Sequence, residues 1–158
     1  YGNTGGQRSS STPLGAVTST TPLRKDVEKK DIVAIMAAHR IPYVATLSLA
    51  HPEDTLRKLR LALDMRGFRF LHMLAPCPTG WKSEPADGIE LVRLAVQSGV
   101  YVVCEIYDGE RRVLNVDSEL SESALEQYFA LQGRFRKGKL DVKAIRQTIV
   151  SRWKALRG

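Results

Sequence analysis

Two places in the chain carry side chains whose types and spacing could do chemistry. The first is the opening run YGNTGGQRSSSTPLGAVTSTTP, residues 1–22, where glycines are mixed with a dense series of serines and threonines. Such a stretch cannot bury an apolar face, but it gathers backbone N–H and hydroxyl donors, which suits an anionic ligand. A flexible Gly/Ser/Thr linker is the plainer reading. Tyr1, Gln7, Arg8, Leu14 and Val17 argue against it, because they interrupt the run where a linker would be purely small. Tyr1 to Gln7 reads as the exit of a buried strand into a tight turn, so residues ahead of Tyr1 are expected.

The second place is Cys77 in PCPTGW. Pro76 and Pro78 have no backbone N–H to donate and hold the chain open around the thiol. A lone cysteine is most simply a small buried hydrophobe, yet a Pro-Cys-Pro turn is a poor place for a core residue. Cys104, inside YVVCEIY, alternates with apolar neighbours and reads as core. Two cysteines alone cannot hold a four-iron cluster, and there is no C-x-x-C spacing for zinc. A disulfide between them sits badly with a reducing compartment. His39 ends a predicted helix, His51 enters one and His72 lies inside a predicted strand, none with a Ser or Cys placed to use it. No Gly-x-x-x-x-Gly-Lys-Ser/Thr run supports a nucleotide phosphate loop.

Both places need a scaffold, and the pattern past Pro22 supplies one. Residues 26–40 carry apolar groups at helical spacing, with Ile32, Ile35 and Met36 as the inward face. Residues 43–47 are a short apolar, β-branched run, hence a buried strand. His51-Pro52-Glu53-Asp54 opens a helix whose Leu56, Leu59 and Leu63 carry it to a stop at Gly67. A strand over 68–74 leads into the Cys77 turn, and a helix over 88–97 closes at Gly99. A strand over 101–107 turns at Asp108-Gly109 into a hairpin mate over 112–116. Helices over 121–131 and 140–156 complete the chain. Strands alternating with helices predict an α/β fold, a mostly parallel sheet flanked by helices with an antiparallel edge and C-terminal helices. In such a sheet ligands collect at the carboxyl ends of the strands, where both candidate loops are expected.

The net charge of +7 first suggests nucleic acid. Much of the excess lies after Gln132, however, while the middle of the chain mixes signs like an ordinary solvated surface. Docking onto an acidic partner subunit or a small acidic electron carrier explains the basic tail as well, and no nucleic-acid partner is expected. No run approaches the length of a membrane span and no signal-peptide pattern opens the chain. The expectation is a cytoplasmic protein with no membrane partner.

The opening run resembles the thiamine-proximal loop in the beta subunit of the 2-oxoacid:ferredoxin oxidoreductases, of the pyruvate synthase type. There a Tyr-x-Asn-Thr-Gly-x-Gln-x-Ser-x-x-Thr-Pro run follows the strand that ends on thiamine diphosphate and its magnesium. The Cys77 turn resembles a Pro-Cys-x-x-Gly-Trp-like segment of the same family. KKDIVAIMAAHRIPYVAT and LEQYFALQGRFRKG resemble two further family segments, so the likeness covers nearly the whole chain in order.

The resemblance implies a thiamine-diphosphate-binding fold in which residues 1–120 are the C-terminal part of the cofactor domain and 121–158 a helical extension. It implies Tyr1, Gly2, Asn3 and Thr4 as cofactor contacts, with Asn3 touching substrate as the catalytic residue. It makes Cys77 the last of four thiolates on a 4Fe-4S cluster, the other three lying upstream, where the Mg2+ ligands would also lie. The implied reaction is oxidative decarboxylation of a small 2-oxoacid, pyruvate with coenzyme A. Oxalate, phenylglyoxylate and branched 2-oxoacids are the alternatives. Other subunits of the complex and a ferredoxin or similar electron carrier are the implied partners. Two rival readings remain. One is a non-catalytic α/β interaction module with a basic tail; the other is an iron-free thiamine transferase in which Cys77 is inert.

Overall fold

The computed structural model describes residues 6–137 and 140–158. At its centre is a four-stranded sheet in the order β2-β1-β3-β4, built from β1 (Tyr43–Ser48), β2 (Arg69–Leu74), β3 (Cys104–Tyr107) and β4 (Arg111–Leu114). β1 and β2 run parallel, from Tyr43 opposite Arg69 to Ser48 opposite Leu74. β3 is antiparallel to both β1 and β4. The expected α/β architecture with an antiparallel edge is therefore present, as a mixed sheet with one parallel pair among the described residues.

Parallel pairing requires a crossover, and α2 (Pro52–Asp64) makes it between β1 and β2. Alternation along β1 sends Val44 to one face, against Ala37 of α1 (Ile32–Ala38), and Tyr43 and Ala45 to the other, against Ala62 of α2. All six residues of β1 are buried, as expected of a central strand covered on both faces. Asp108 and Gly109 both take left-handed backbone (φ 53° and 75°) and return β3 into β4.

Beyond the sheet lie α3 (Pro78–Trp81), α4 (Gly88–Gln97), α5 (Glu122–Ala130) and α6 (Val142–Arg157). Leu91, Leu94, Leu125, Phe129, Ile149 and Trp153 join the last three in the largest apolar cluster. Ser121 and Asp141 cap α5 and α6 by accepting the N–H of Ala124 and Ala144. Gly99 ends α4 at φ 77°, where a Cβ would lie 2.5 Å from Nε1 of Trp153. Its carbonyl accepts that indole N–H at 2.9 Å, so the absent side chain is what lets α6 dock.

Two helices differ from the sequence expectation. The helix expected over 26–40 begins only at Ile32, because Asp31 caps it through the Ala34 N–H. The backbone ahead of it is already committed: Lys30 N–H donates to Ser10 and Lys25 N–H to Ala16, both in the opening run. Its inward residues are Val33, Met36 and Ala37, whereas Ile35 faces out. On α2 the leucines that carry the helix do not all form its buried face: Leu56 is 54% and Leu63 78% exposed, Leu59 is half-buried, and Thr55, Lys58 and Ala62 are buried. The polar side of α2 turns inward because Arg57 and Lys58 have partners under the sheet: Glu105 for the first, the Thr46 carbonyl (2.9 Å) for the second.

Candidate functional site

The residues named from the sequence as cofactor contacts, Tyr1, Gly2, Asn3 and Thr4, lie outside the described residues. What the structure does describe is the loop they lead into. Residues 6–25 are held from three sides. Lys25 bonds to Gly15-Ala16 through its backbone, donating its N–H to the Ala16 carbonyl at 3.0 Å and accepting the Gly15 N–H at 2.8 Å. Arg24 reaches the carbonyls of Gly15 at 2.7 Å and Phe135 at 3.0 Å, and that of Lys137. The Lys25 ammonium, 2% exposed, donates to the carbonyls of Ser9 (3.2 Å), Ser10 (3.3 Å) and Thr12 (2.5 Å). A linker makes no such bonds, so the loop is a built element.

Inside this loop Thr18 and Thr21 face each other across a tight turn, N–H to carbonyl in both directions at 3.3 and 3.2 Å. Both residues are buried, and their hydroxyls have no hydrogen-bond partner among the described residues. Buried hydroxyls without partners cost free energy unless something outside the described residues meets them.

Cys77 stands at the other place. Its thiol is exposed, and it opens α3 with Sγ accepting the Gly80 N–H at 3.4 Å. A backbone N–H aimed at sulfur is an arrangement that suits a metal-bound cysteine. Cys104 is buried, as expected, with burial pushing its thiol up despite the Thr46 hydroxyl beside it. His72 lies in β2 with Nδ1 buried and unpartnered among the described residues, its pKa lowered by burial and then by Lys29. Among the described residues no group of three or more His, Cys, Asp and Glu is placed to hold a metal ion.

One short segment joins the two places. Gln132-Gly133-Arg134-Phe135 forms a tight turn after α5. Its Gly133 N–H donates to Lys82, at the end of α3, at 2.9 Å, and its Arg134 carbonyl accepts the Val17 N–H of the opening loop at 2.8 Å. The buried Arg134 guanidinium stacks 4.2 Å from the centre of the Trp81 ring and donates to Gln132 Oε1 at 2.8 Å. Leu74, at the carboxyl end of β2, packs against the same cluster as Ala16 and Trp81. The opening loop and the Cys77 turn are thus brought to one end of the parallel pair. In the sequence this Gln-Gly-Arg-Phe run stands out only as a family segment, with no sign of a linking role.

A further polar centre went unassigned as well. Glu105, 2% exposed, accepts from Tyr43 (2.6 Å), Tyr107 (2.9 Å), Asn115 (2.6 Å) and Arg57 (2.6 Å). Burial alone would push its carboxyl up, but the donors from Arg57, Tyr43, Asn115 and Tyr107 outweigh it and bring the pKa to about 2. Its partners come from β1, β3, α2 and the segment after β4, which makes it a tie across the sheet.

A helix-flanked mixed sheet with a fixed, hydroxyl-rich loop beside it defines an α/β protein consistent with the thiamine-diphosphate-binding fold. No family model matches the chain. It is 41% identical over 163 positions to ketoisovalerate oxidoreductase subunit VorB of Pyrococcus horikoshii, covering 99% of this chain and 52% of that protein. It is 45% identical over 141 positions to pyruvate synthase subunit PorB of Methanothermobacter marburgensis, covering 86% of this chain and 48% of that protein. With PorB of Pyrococcus furiosus the identity is 37% over 183 positions, 99% of this chain and 54% of that protein. The chain belongs to the beta subunits of the 2-oxoacid:ferredoxin oxidoreductase family. It spans about half the length of the curated relatives it matches.

Proposed function

We propose that this chain is the part of a 2-oxoacid:ferredoxin oxidoreductase beta subunit that closes over thiamine diphosphate and leads electrons away from it. The observation that carries the reading is the exposed Cys77 thiol, backed by the Gly80 N–H and tied through residues 132–135 to the opening loop. The described residues fit the implied groups as far as they reach. Cys77 offers one of the four thiolates a 4Fe-4S cluster takes, and the Thr18 and Thr21 hydroxyls lack partners in the loop assigned to the cofactor. Thiamine diphosphate with Mg2+ supplies, when bound, the electron sink through which a 2-oxoacid loses carbon dioxide.

The chain's own residues then have separate tasks. Asn3 donates a hydrogen bond at the reacting centre, and Tyr1, Gly2 and Thr4 shape the turn around the cofactor. Cys77 would hold one iron of a 4Fe-4S cluster, a group that would supply single-electron transfer towards ferredoxin or a similar carrier. Trp81 and Arg134 close the apolar side of the Cys77 turn and keep water from beneath it. The substrate is a small 2-oxoacid, most simply pyruvate with coenzyme A. The relatives' names put a branched 2-oxoacid, ketoisovalerate, beside it at similar identity. No helix among the described residues is long and apolar enough to cross a membrane.

The test is the iron content and visible absorption of the complex purified without oxygen, native and Cys77→Ser. Loss of the iron–sulfur absorption in the variant supports the reading; unchanged absorption removes Cys77 from the cluster. Turnover of a panel of 2-oxoacids with coenzyme A and an electron acceptor decides the substrate. Decarboxylation unchanged within about twofold in Asn3→Ala removes Asn3 from the mechanism.

A further inference from the structure

We infer that Lys25 is a positioning residue for the cofactor loop, its ammonium serving as a built-in cation that gathers the carbonyls of Ser9, Ser10 and Thr12. The inference rests on the functional reading above and adds a residue to it. A buried ammonium is costly unless it is paired and hydrogen-bonded. Lys25 appears in none of the ion pairs among the described residues. Its three contacts are all to backbone oxygens of one turn, the arrangement a bound monovalent cation would take.

The contrast with Lys58 shows why this points to loop placement. Lys58 is as deeply buried, yet it pairs with the Asp54 carboxylate at 2.6 Å one helical turn away and with the Thr46 carbonyl. Its role is satisfied inside the βαβ unit. Lys25 instead closes a loop on itself: the turn it gathers is further fixed by Thr12 N–H to Ser9 O (3.1 Å) and Ser9 N–H to Thr12 Oγ1 (2.9 Å). At the near end of the described chain, Gly6 accepts the Ser19 N–H at 3.1 Å. Gly6 and the turn from Ser9 to Thr12 thus belong to one clasped loop, whose middle Lys25 holds. Arg24, in left-handed backbone at φ 85°, ties that assembly to residues 135 and 137.

The experiment uses the assembled complex and follows thiamine diphosphate affinity by titration of the cofactor-depleted form, with hydrogen exchange of residues 6–25 and cluster absorption alongside. Lys25→Met is expected to raise the Kd about tenfold and to speed exchange in residues 9–17, leaving cluster absorption unchanged. Lys58→Met is expected to leave the Kd within about twofold of native. Lys25→Gln, neutral but with two donors, is expected to fall between native and Lys25→Met, and decides alone if the methionine variant does not assemble. Native-like affinity in the Lys25 variants, or an equal loss in Lys58→Met, overturns the inference. A native complex that takes up no thiamine diphosphate overturns the functional reading, and this inference with it.

Discussion

Two deeply buried ionic centres, Glu105 under the sheet and Lys25 under the opening loop, are solved in opposite ways. Glu105 is surrounded by donors from four parts of the chain, one of them a full counter-charge, Arg57. Among the described residues Lys25 donates to neutral carbonyls of a single turn, and burial pulls its pKa below the ordinary lysine value, with Arg8 adding to the effect and Glu28 and Asp26 opposing it. A closed, multiply paired network holds a scaffold together, because removing any member strands the others. A single ion among carbonyls shapes one loop. The first centre belongs to stability and the second to the geometry of the proposed site.

That comparison breaks most easily at Glu105. Glu105→Ala takes the acceptor from Tyr43, Tyr107 and Asn115, leaves Arg57 with Asp54 alone, and is expected to cost about 3 kcal/mol, read as a lowered midpoint in urea unfolding of the subunit. A loss below about 1 kcal/mol would show that the network tightens no more than an ordinary surface pair. Lys58→Met, which leaves Asp54 only its Arg57 partner and strips the ammonium from the Thr46 carbonyl, is expected to cost about 2 kcal/mol on the same scale.

Acid sharpens the contrast. Since the folded-state pKa of Glu105 is about 2, below the ordinary glutamate value, its contribution is complete above the unfolded pKa and is lost as pH falls through that interval towards 2. Stability measured from pH 5 downwards should decline in the native protein and decline less in Glu105→Gln. Equal slopes would mean that other carboxylates govern acid unfolding. The smallest effect is expected on the outward face of α2: Leu63→Ser, at a side chain 78% exposed, should change stability by no more than about 0.5 kcal/mol. A larger loss would restore Leu56, Leu59 and Leu63 as a buried stripe.

This last residue shows how the sequence misleads. The leucines of α2 have the right period for an inward face, and hydrophobic periodicity predicts it. Periodicity counts apolar groups, however, and cannot see that Arg57 and Lys58 have partners waiting under β1 and β3. The start of α1 fails for a related reason: residues 26–30 have helical composition, but the backbone N–H groups of Lys25, just before the stretch, and Lys30, at its end, are already bonded to the opening loop. Cys77 was legible because two prolines flank it, and Cys104 because it alternates with apolar neighbours. Arg134 and Lys25 were not, since a basic residue in a polar run gives no sign of burial.

The sequence by itself determined the α/β alternation, the strands and most helices, the Asp-Gly turn and the burial of Cys104 against the exposure of Cys77, because local propensity and patterning need no distant partner. Only the tertiary structure decided which side of α2 faces the sheet, what clasps the opening loop, and that residues 132–135 link it to the Cys77 turn. Those outcomes depend on hydrogen bonds between residues far apart in the chain, whose strength comes from burial that no local pattern records.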